Sequence, residues 1–150
     1  MSEAIVDILY LVFAAVTTYF LLVFLLLFQR NKSKLNFTPQ LSHLPSVSII
    51  VPAYNEQDKI SSTLKSLSTL DYPKDKLEII VVDDGSEDST YEVAKKFKNI
   101  KVFHKKNGGK ARALNFGLRR AKGEIVACVD SDSHPQPDAL LKAIPFFNDN

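Results

Sequence analysis

Residues 47–86 read VSIIVPAYNEQDKISSTLKSLSTLDYPKDKLEIIVVDDGS. Val47–Val51 is a short, mostly β-branched run ended by Pro52, which suits a buried strand. In the next segment, Glu56–Leu70, residues Ile60, Leu64 and Leu67 fall at i, i+4 and i+7. That spacing gives one apolar face of a helix, for which Asn55 is a plausible N-cap. Asp71-Tyr72-Pro73 ends the helix, and Leu77–Val82 is a second buried strand. Strand, helix, strand is a βαβ unit, whose strands run parallel.

Downstream the alternation repeats. Ser86-Glu87-Asp88-Ser89 can cap a second helix to about Phe97, and Ile100–Phe103 is a third, shorter strand. Lys110–Ala121 predicts a third helix with Ala111, Leu114, Leu118 and Ala121 on one side and Gly123 just beyond its end. Glu124–Val129 is a fourth strand. Pro137 sits at a further helix start, with Leu140, Leu141, Ile144 and Phe147 as its face. The expected fold class is α/β, a mostly parallel sheet with helices on both faces. Cys128, the single cysteine, lies in the fourth strand and reads as a small buried hydrophobe; one cysteine allows no intramolecular disulfide.

Upstream, Ile8–Phe28 reads ILYLVFAAVTTYFLLVFLLLF. A helix of this length spans about 30 Å, the thickness of a bilayer's hydrocarbon core. It is apolar all round, as a lipid-facing helix is. A cleaved signal peptide is the competing reading, but Glu3 and Asp7 precede the run and no Lys or Arg does. Arg30, Lys32 and Lys34 follow it, which places residues 46–150 in the cytoplasm. The expected organisation is a short tail (1–7), one transmembrane helix (8–29), a basic linker broken by Pro39 and Pro45 (30–45), and an α/β part (46–150). Membrane lipid is thus an expected partner. The 19 Lys+Arg against 17 Asp+Glu give a net charge of +2, too even for a nucleic-acid binder. With 45% apolar and 24% charged residues, the composition excludes global disorder and a collagen-like repeat.

In open parallel sheets ligands bind beyond the C-terminal ends of the strands. Those ends carry Pro52-Ala53-Tyr54-Asn55-Glu56, Asp83-Asp84-Gly85-Ser86 and Asp130-Ser131-Asp132. Two residues apart in an extended loop, the Asp130 and Asp132 carboxylates point the same way. Such a pair suits Mg²⁺ or Mn²⁺, completed by substrate phosphates; taken alone it is more often a plain turn. Of Asp83 and Asp84, one can accept from a base or ribose and the other can cap a helix. Tyr54 can stack a base or simply pack. Asn107-Gly108-Gly109-Lys110 precedes a helix, where glycines admit close approach and Lys110 adds a cation for an anion. It is not a Walker A loop, and no GxGxxG or G-x-S-x-G is present. His104 and His134 do not form a metal spacing with Cys128.

Four motifs in order, VSIIVPAYNE (47–56), VVDDGSEDST (81–90), GGKARALNFGL (108–118) and VDSD (129–132), closely resemble the N-terminal half of a family 2 glycosyltransferase. The resemblance implies a Rossmann-like GT-A fold, here as a donor-binding half-domain. It also implies sugar transfer from a nucleotide-diphosphate donor, a UDP-sugar by its base contacts, with a divalent metal, Mg²⁺ or Mn²⁺. It places Pro52, Tyr54 and Glu56 around the nucleotide, with Tyr54 near the base. It sets Asp84 on the base, Lys110 near the base or diphosphate, Asp130 on the ribose or donor, and Asp132 on the metal, with Asp130 beside it. The GKARALN wording beside a membrane helix looks most like the polysaccharide synthases, with a polysaccharide or lipid-linked acceptor. The family's acidic catalytic base and QxxRW motif do not follow Asp132, and Asp138 and Asp149 are poor substitutes. The base is therefore expected beyond residue 150. The competing expectation is a catalytically incomplete nucleotide-sugar-binding module, or truncated product, that needs a partner chain. Either way, Asp84, Asp130 and Asp132 are expected to converge in space.

Overall fold

The computed structural model describes residues 3–35 and 43–147. Residues 1–2 of the expected tail, 36–42 of the expected linker, and Asp149 lie outside the described residues. The chain forms two compact units, residues 1–38 and 39–150. In the first, helix α1 (Glu3–Leu35) extends the apolar run at both ends and is long and apolar enough to cross a membrane.

The second unit begins with β1 (Val47–Ala53), α2 (Ile60–Ser68) and β2 (Leu77–Asp83). It continues with α3 (Thr90–Lys95), β3 (Lys101–His104), α4 (Lys110–Leu118) and β4 (Ile125–Cys128). Last come α5 (Ala139–Ala143) and a 3₁₀ turn (Ile144–Phe147). The sheet order is β3-β2-β1-β4 and every pairing is parallel. β1 and β2 are central and pair from Val47↔Leu77 to Ala53↔Asp83. Helices cover both of their faces, so both read as mostly apolar runs, interrupted by Ser48 and Glu78 near their starts, rather than as alternating ones.

Side chains alternate between those faces. Val47, Ile49 and Val51 of β1 and Ile79 and Val81 of β2 meet Ile60, Leu64 and Leu67 of α2, with Ala94, Leu140 and Ile144 in the same layer. Ile50, Ile80 and Val82 meet Ala113 of α4 on the other face. Ile60, Leu64 and Leu67 are each 0% exposed, and full burial of such a side chain is worth about 1.5–3 kcal/mol. The i, i+4, i+7 face of the sequence is therefore the one that packs.

Several expectations are corrected. α2 starts at Ile60, and Asn55 is not its cap; Asn55 adopts φ 53°, a left-handed turn. Asn is favoured at both caps and left-handed positions, so its identity does not distinguish them. α3 is shorter than expected, and within its capping segment Asp88 holds the Thr90 N–H at 2.9 Å. α4 ends at Leu118 and buries Ala113 and Gly117, while Ala111 and Leu118 of the expected face are exposed. A Cβ at Gly117 would lie 2.6 Å from Ile50 Cγ2, so the glycine lets the helix sit close to β1. Gly123 caps no helix; a Cβ there would lie 2.4 Å from the Ser48 nitrogen, so it lets the α4–β4 connection cross β1. Cys128 is exposed, because β4 is an edge strand among the described residues and only its alternate residues pack. Phe147 is likewise exposed, beyond the end of α5.

Candidate functional site

The C-terminal ends of β1, β2 and β4 open onto one cleft of about 520 Å³. Pro52, Ala53, Tyr54 and Glu56 form the β1 side of its wall and Asp84 the β2 side. Asn107, Gly109, Lys110 and Ala113 come from the α4 approach, and Asp130, Ser131 and Asp132 from the end of β4. All seven residues singled out from the sequence, Pro52, Tyr54, Glu56, Asp84, Lys110, Asp130 and Asp132, border this single space. His104 and His134 do not. His104 Nδ1 lies 2.5 Å from Asp83 Oδ2, and His134 Nε2 lies 2.9 Å from Ser62 Oγ.

The β1 wall is laced to the β2–α3 loop. The Asn55 N–H donates to Ser86 Oγ at 2.9 Å, and the Glu87 N–H donates to Asn55 Oδ1 at 2.9 Å. The Glu56 N–H donates to Thr90 Oγ1 at 2.7 Å, and the Gln57 N–H to Asp88 Oδ2 at 3.1 Å. Gln57 Oε1 accepts the Ser89 N–H at 3.0 Å. This reciprocal pattern fixes the backbone that presents Tyr54 and Glu56. Burial works to raise the Asp88 carboxyl, but the donors from Thr90 and Gln57 outweigh it and hold it below the usual carboxylate range. Sequence reading assigned residues 86–89 to capping alone; the cross-loop bonds have no sequence signature.

Asp83 and Asp84 are 0% and 3% exposed. Asp83 accepts from Ser86 Oγ and faces His104. Asp84 accepts from the Lys105 ammonium, from the Gly109 N–H at 2.6 Å and from the Gly108 N–H at 3.1 Å. Burial alone would raise the Asp84 carboxyl, yet Lys105 and the two glycine N–H groups win and lower it. Asp84 thereby shapes the 105–109 loop, which the sequence showed only as an anion-binding candidate. Gly85 takes φ 76°, and a Cβ there would lie 2.6 Å from the Asn107 nitrogen. The loop can close over β2 only because residue 85 has no side chain.

The β4 end differs. Asp130 and Asp132 are exposed. Lys110, at the first turn of α4, reaches Asp130 Oδ1 at 2.6 Å. That bond, the charge of Asp130 and, more weakly, the charge of Asp132 raise the Lys110 ammonium above its ordinary range. Asp132 makes no ion pair among the described residues. No cluster of three or more His, Cys, Asp or Glu able to hold a metal occurs among the described residues. The chain's contribution to a cation here is two oxygen-bearing carboxylates. That set fits a hard cation such as Mg²⁺ or Mn²⁺ whose remaining ligands are water and phosphate, and it would not fit zinc, which takes a fuller set of nitrogen and sulfur ligands.

A parallel α/β sheet with a cleft at its strand ends, bordered by an exposed acid pair and a lysine, is a GT-A-like arrangement shared with the solved structures below. The chain belongs to glycosyl transferase family 2, whose pattern matches residues 48–150. It is 38% identical over 121 residues to the probable glycosyltransferase YdaM of Bacillus subtilis, covering 75% of this chain and 28% of YdaM. The mannosyltransferase PcManGT of Pyrobaculum calidifontis, solved with GDP-Man and Mn²⁺, superposes with TM-score 0.68 at 35% identity, covering 91% of this chain and 43% of that one. Residues 1–349 of S. aureus TarS, solved with UDP-GlcNAc, superpose with TM-score 0.64 at 38% identity, covering 69% of this chain and 31% of that one. The chain thus spans about a quarter of the length of curated relatives such as YdaM.

Proposed function

We propose that this chain is the donor-binding part of a membrane-anchored glycosyltransferase that takes a nucleotide-diphosphate sugar, a UDP-sugar, together with Mg²⁺ or Mn²⁺. The observation that carries this reading is the convergence of three strand ends on one cleft, with a buried, bonded acid at one wall and an exposed acid pair at another. The solved complexes of PcManGT with GDP-Man and Mn²⁺ and of TarS with UDP-GlcNAc support a nucleotide-sugar donor.

In this reading Pro52, Tyr54 and Glu56 frame the nucleoside, with Tyr54 exposed for stacking. Three donors occupy the Asp84 carboxylate. The Gly108 N–H reaches both oxygens, at 3.1 and 3.2 Å, so the carboxylate's four or so lone-pair positions each carry a contact and a base N–H would take the place of one of them. Asp130 and Asp132 would hold the cation, which when bound stabilises negative charge on the departing diphosphate. Lys110 is then released from Asp130 to face the phosphates. The acceptor hydroxyl attacks the anomeric carbon, the bond to the diphosphate breaks, and a base takes the hydroxyl proton. That base is assigned to no residue among the 150; Asp138 is paired with Lys142 at 2.6 Å. α1 anchors the enzyme, residues 46–150 face the cytoplasm, and the acceptor is a growing polysaccharide or a lipid-linked glycan.

Calorimetry on the detergent-solubilised full chain tests the donor site. UDP should bind measurably tighter with Mn²⁺ than without, and Asp132→Ala should erase that difference while UDP alone still binds. Folded protein that gives identical UDP isotherms with and without Mn²⁺ would refute the cation assignment.

A further inference from the structure

Thr63 lies on α2, is 0% exposed, and donates its hydroxyl to the Ser131 carbonyl at 2.8 Å. Ser131 is the residue between the two exposed carboxylates and is itself buried at 8% exposure. A buried hydroxyl needs a partner, and helical threonine commonly finds one in its own preceding turn. This one instead reaches across 68 residues of sequence to the 130–134 loop. Two more bonds hold the same stretch: the Val129 N–H to the Ile50 carbonyl at 3.0 Å, and His134 to Ser62. The Ser133 N–H closes the turn onto the Asp130 carbonyl at 3.0 Å.

We propose that Thr63 is a positioning residue for the cation site: by holding the Ser131 carbonyl inward, it aims Asp130 and Asp132 outward into the cleft. Residues 130–133 form a turn rather than the extended loop expected from the sequence, and Ser131 and Asp132 are its central residues. Fixing the Ser131 carbonyl fixes the peptide that joins them and so the direction in which both flanking carboxylates leave the turn. The inference rests on the reading of Asp130 and Asp132 as cation ligands. Thr63 touches neither donor nor metal; it acts through the loop. Thr63→Val keeps the shape, removes the donor, and leaves a buried carbonyl without its partner. Thr63→Ser keeps the donor.

The test is Mn²⁺ titration of the full-length protein in detergent at saturating UDP, followed by calorimetry, with a thermal melt on each sample. Loss of a group that orients a metal ligand typically costs 10–100-fold in metal affinity, and Thr63→Val should weaken Mn²⁺ by about tenfold on that basis. Thr63→Ser should restore wild-type affinity. Leu64→Val, a neighbouring core change on the same helix that lowers stability while keeping the Thr63 hydroxyl, should leave Mn²⁺ affinity unchanged. An unchanged Mn²⁺ affinity in Thr63→Val, or an equal loss in Leu64→Val, overturns the role of Thr63 and leaves the cation reading standing. Absence of Mn²⁺-dependent heat in the wild type overturns both.

Discussion

Asp83-Asp84 at the end of β2 and Asp130-Ser131-Asp132 at the end of β4 look alike in sequence, each a pair of acids where an apolar strand stops. The fold separates them. The first pair is buried and bonded to Ser86, His104, Lys105 and the 108–109 backbone. The second pair is exposed, and Lys110 bonds only Asp130. β2 is a central strand whose end lies beneath two neighbouring loops, whereas β4 is an edge strand among the described residues. Sheet position therefore decides which acids are bonded into the fold and which stand exposed at the cleft.

Asp84→Ala should break this contrast most severely. It strands the Lys105 ammonium and two backbone N–H groups, and removing one partner of a buried ion pair costs about 3 kcal/mol or more. Chemical denaturation followed by near-ultraviolet circular dichroism would measure the loss; a change below about 1 kcal/mol would show the inner pair to be dispensable.

Acid should act next, through the buried Asp84. Folding lowers the Asp84 carboxyl, and it lowers Glu78 as well, where burial is outweighed by Lys101, Ser48 and the Lys122 N–H. A lowered group contributes fully above its unfolded value, near 4, and loses that contribution as pH falls through the folded value. Stability should accordingly be flat from neutrality to about pH 5 and decline below about pH 4. Asp84→Asn should flatten that decline. An unchanged acid limb in the variant would remove Asp84 as its source.

Asp132→Ala should change stability by no more than about 0.5 kcal/mol, as an exposed position outside any ion pair does. A large loss would mean that the outer acids are structural too. The smallest effect sharpens the contrast further. Lys110→Met frees Asp130, so Mn²⁺ without nucleotide should bind slightly tighter while UDP binds more weakly. Parallel shifts of both affinities would argue against an exchange of Lys110 between carboxylate and phosphate.

Much of this was legible in residue pattern. The β-branched-rich stretches Ile49–Val51 of β1 and Ile79–Val82 of β2 and the Ile60, Leu64, Leu67 stripe are consequences of burial, and burial selects apolar side chains directly. The polar strand ends were legible because topology sends them all to one edge. What escaped has a common physical cause: one residue type serves two geometries. Asn55 looks like a cap and is a left-handed turn; Gly123 looks like a helix stop and is a crossing point. Cys128 sits in IVAC, which reads like a buried strand, and edge position exposes half of it. Thr63 was invisible beside Ser61 and Ser62, since only the fold shows which hydroxyl turns inward.

The chain enters this sheet at the opposite end from the cleft. Tyr72 donates its hydroxyl to the Pro45 carbonyl at 2.5 Å, Lys76 its ammonium to the Leu44 carbonyl at 2.6 Å, and Ser46 its N–H to Glu124 at 2.9 Å. These three bonds fix the backbone of residues 44–46 immediately before β1 begins. The sheet's entry edge is thereby pinned by side chains of the 72–76 segment and by Glu124, none of which borders the cleft, so each edge can be altered by substitution without disturbing the bonds of the other.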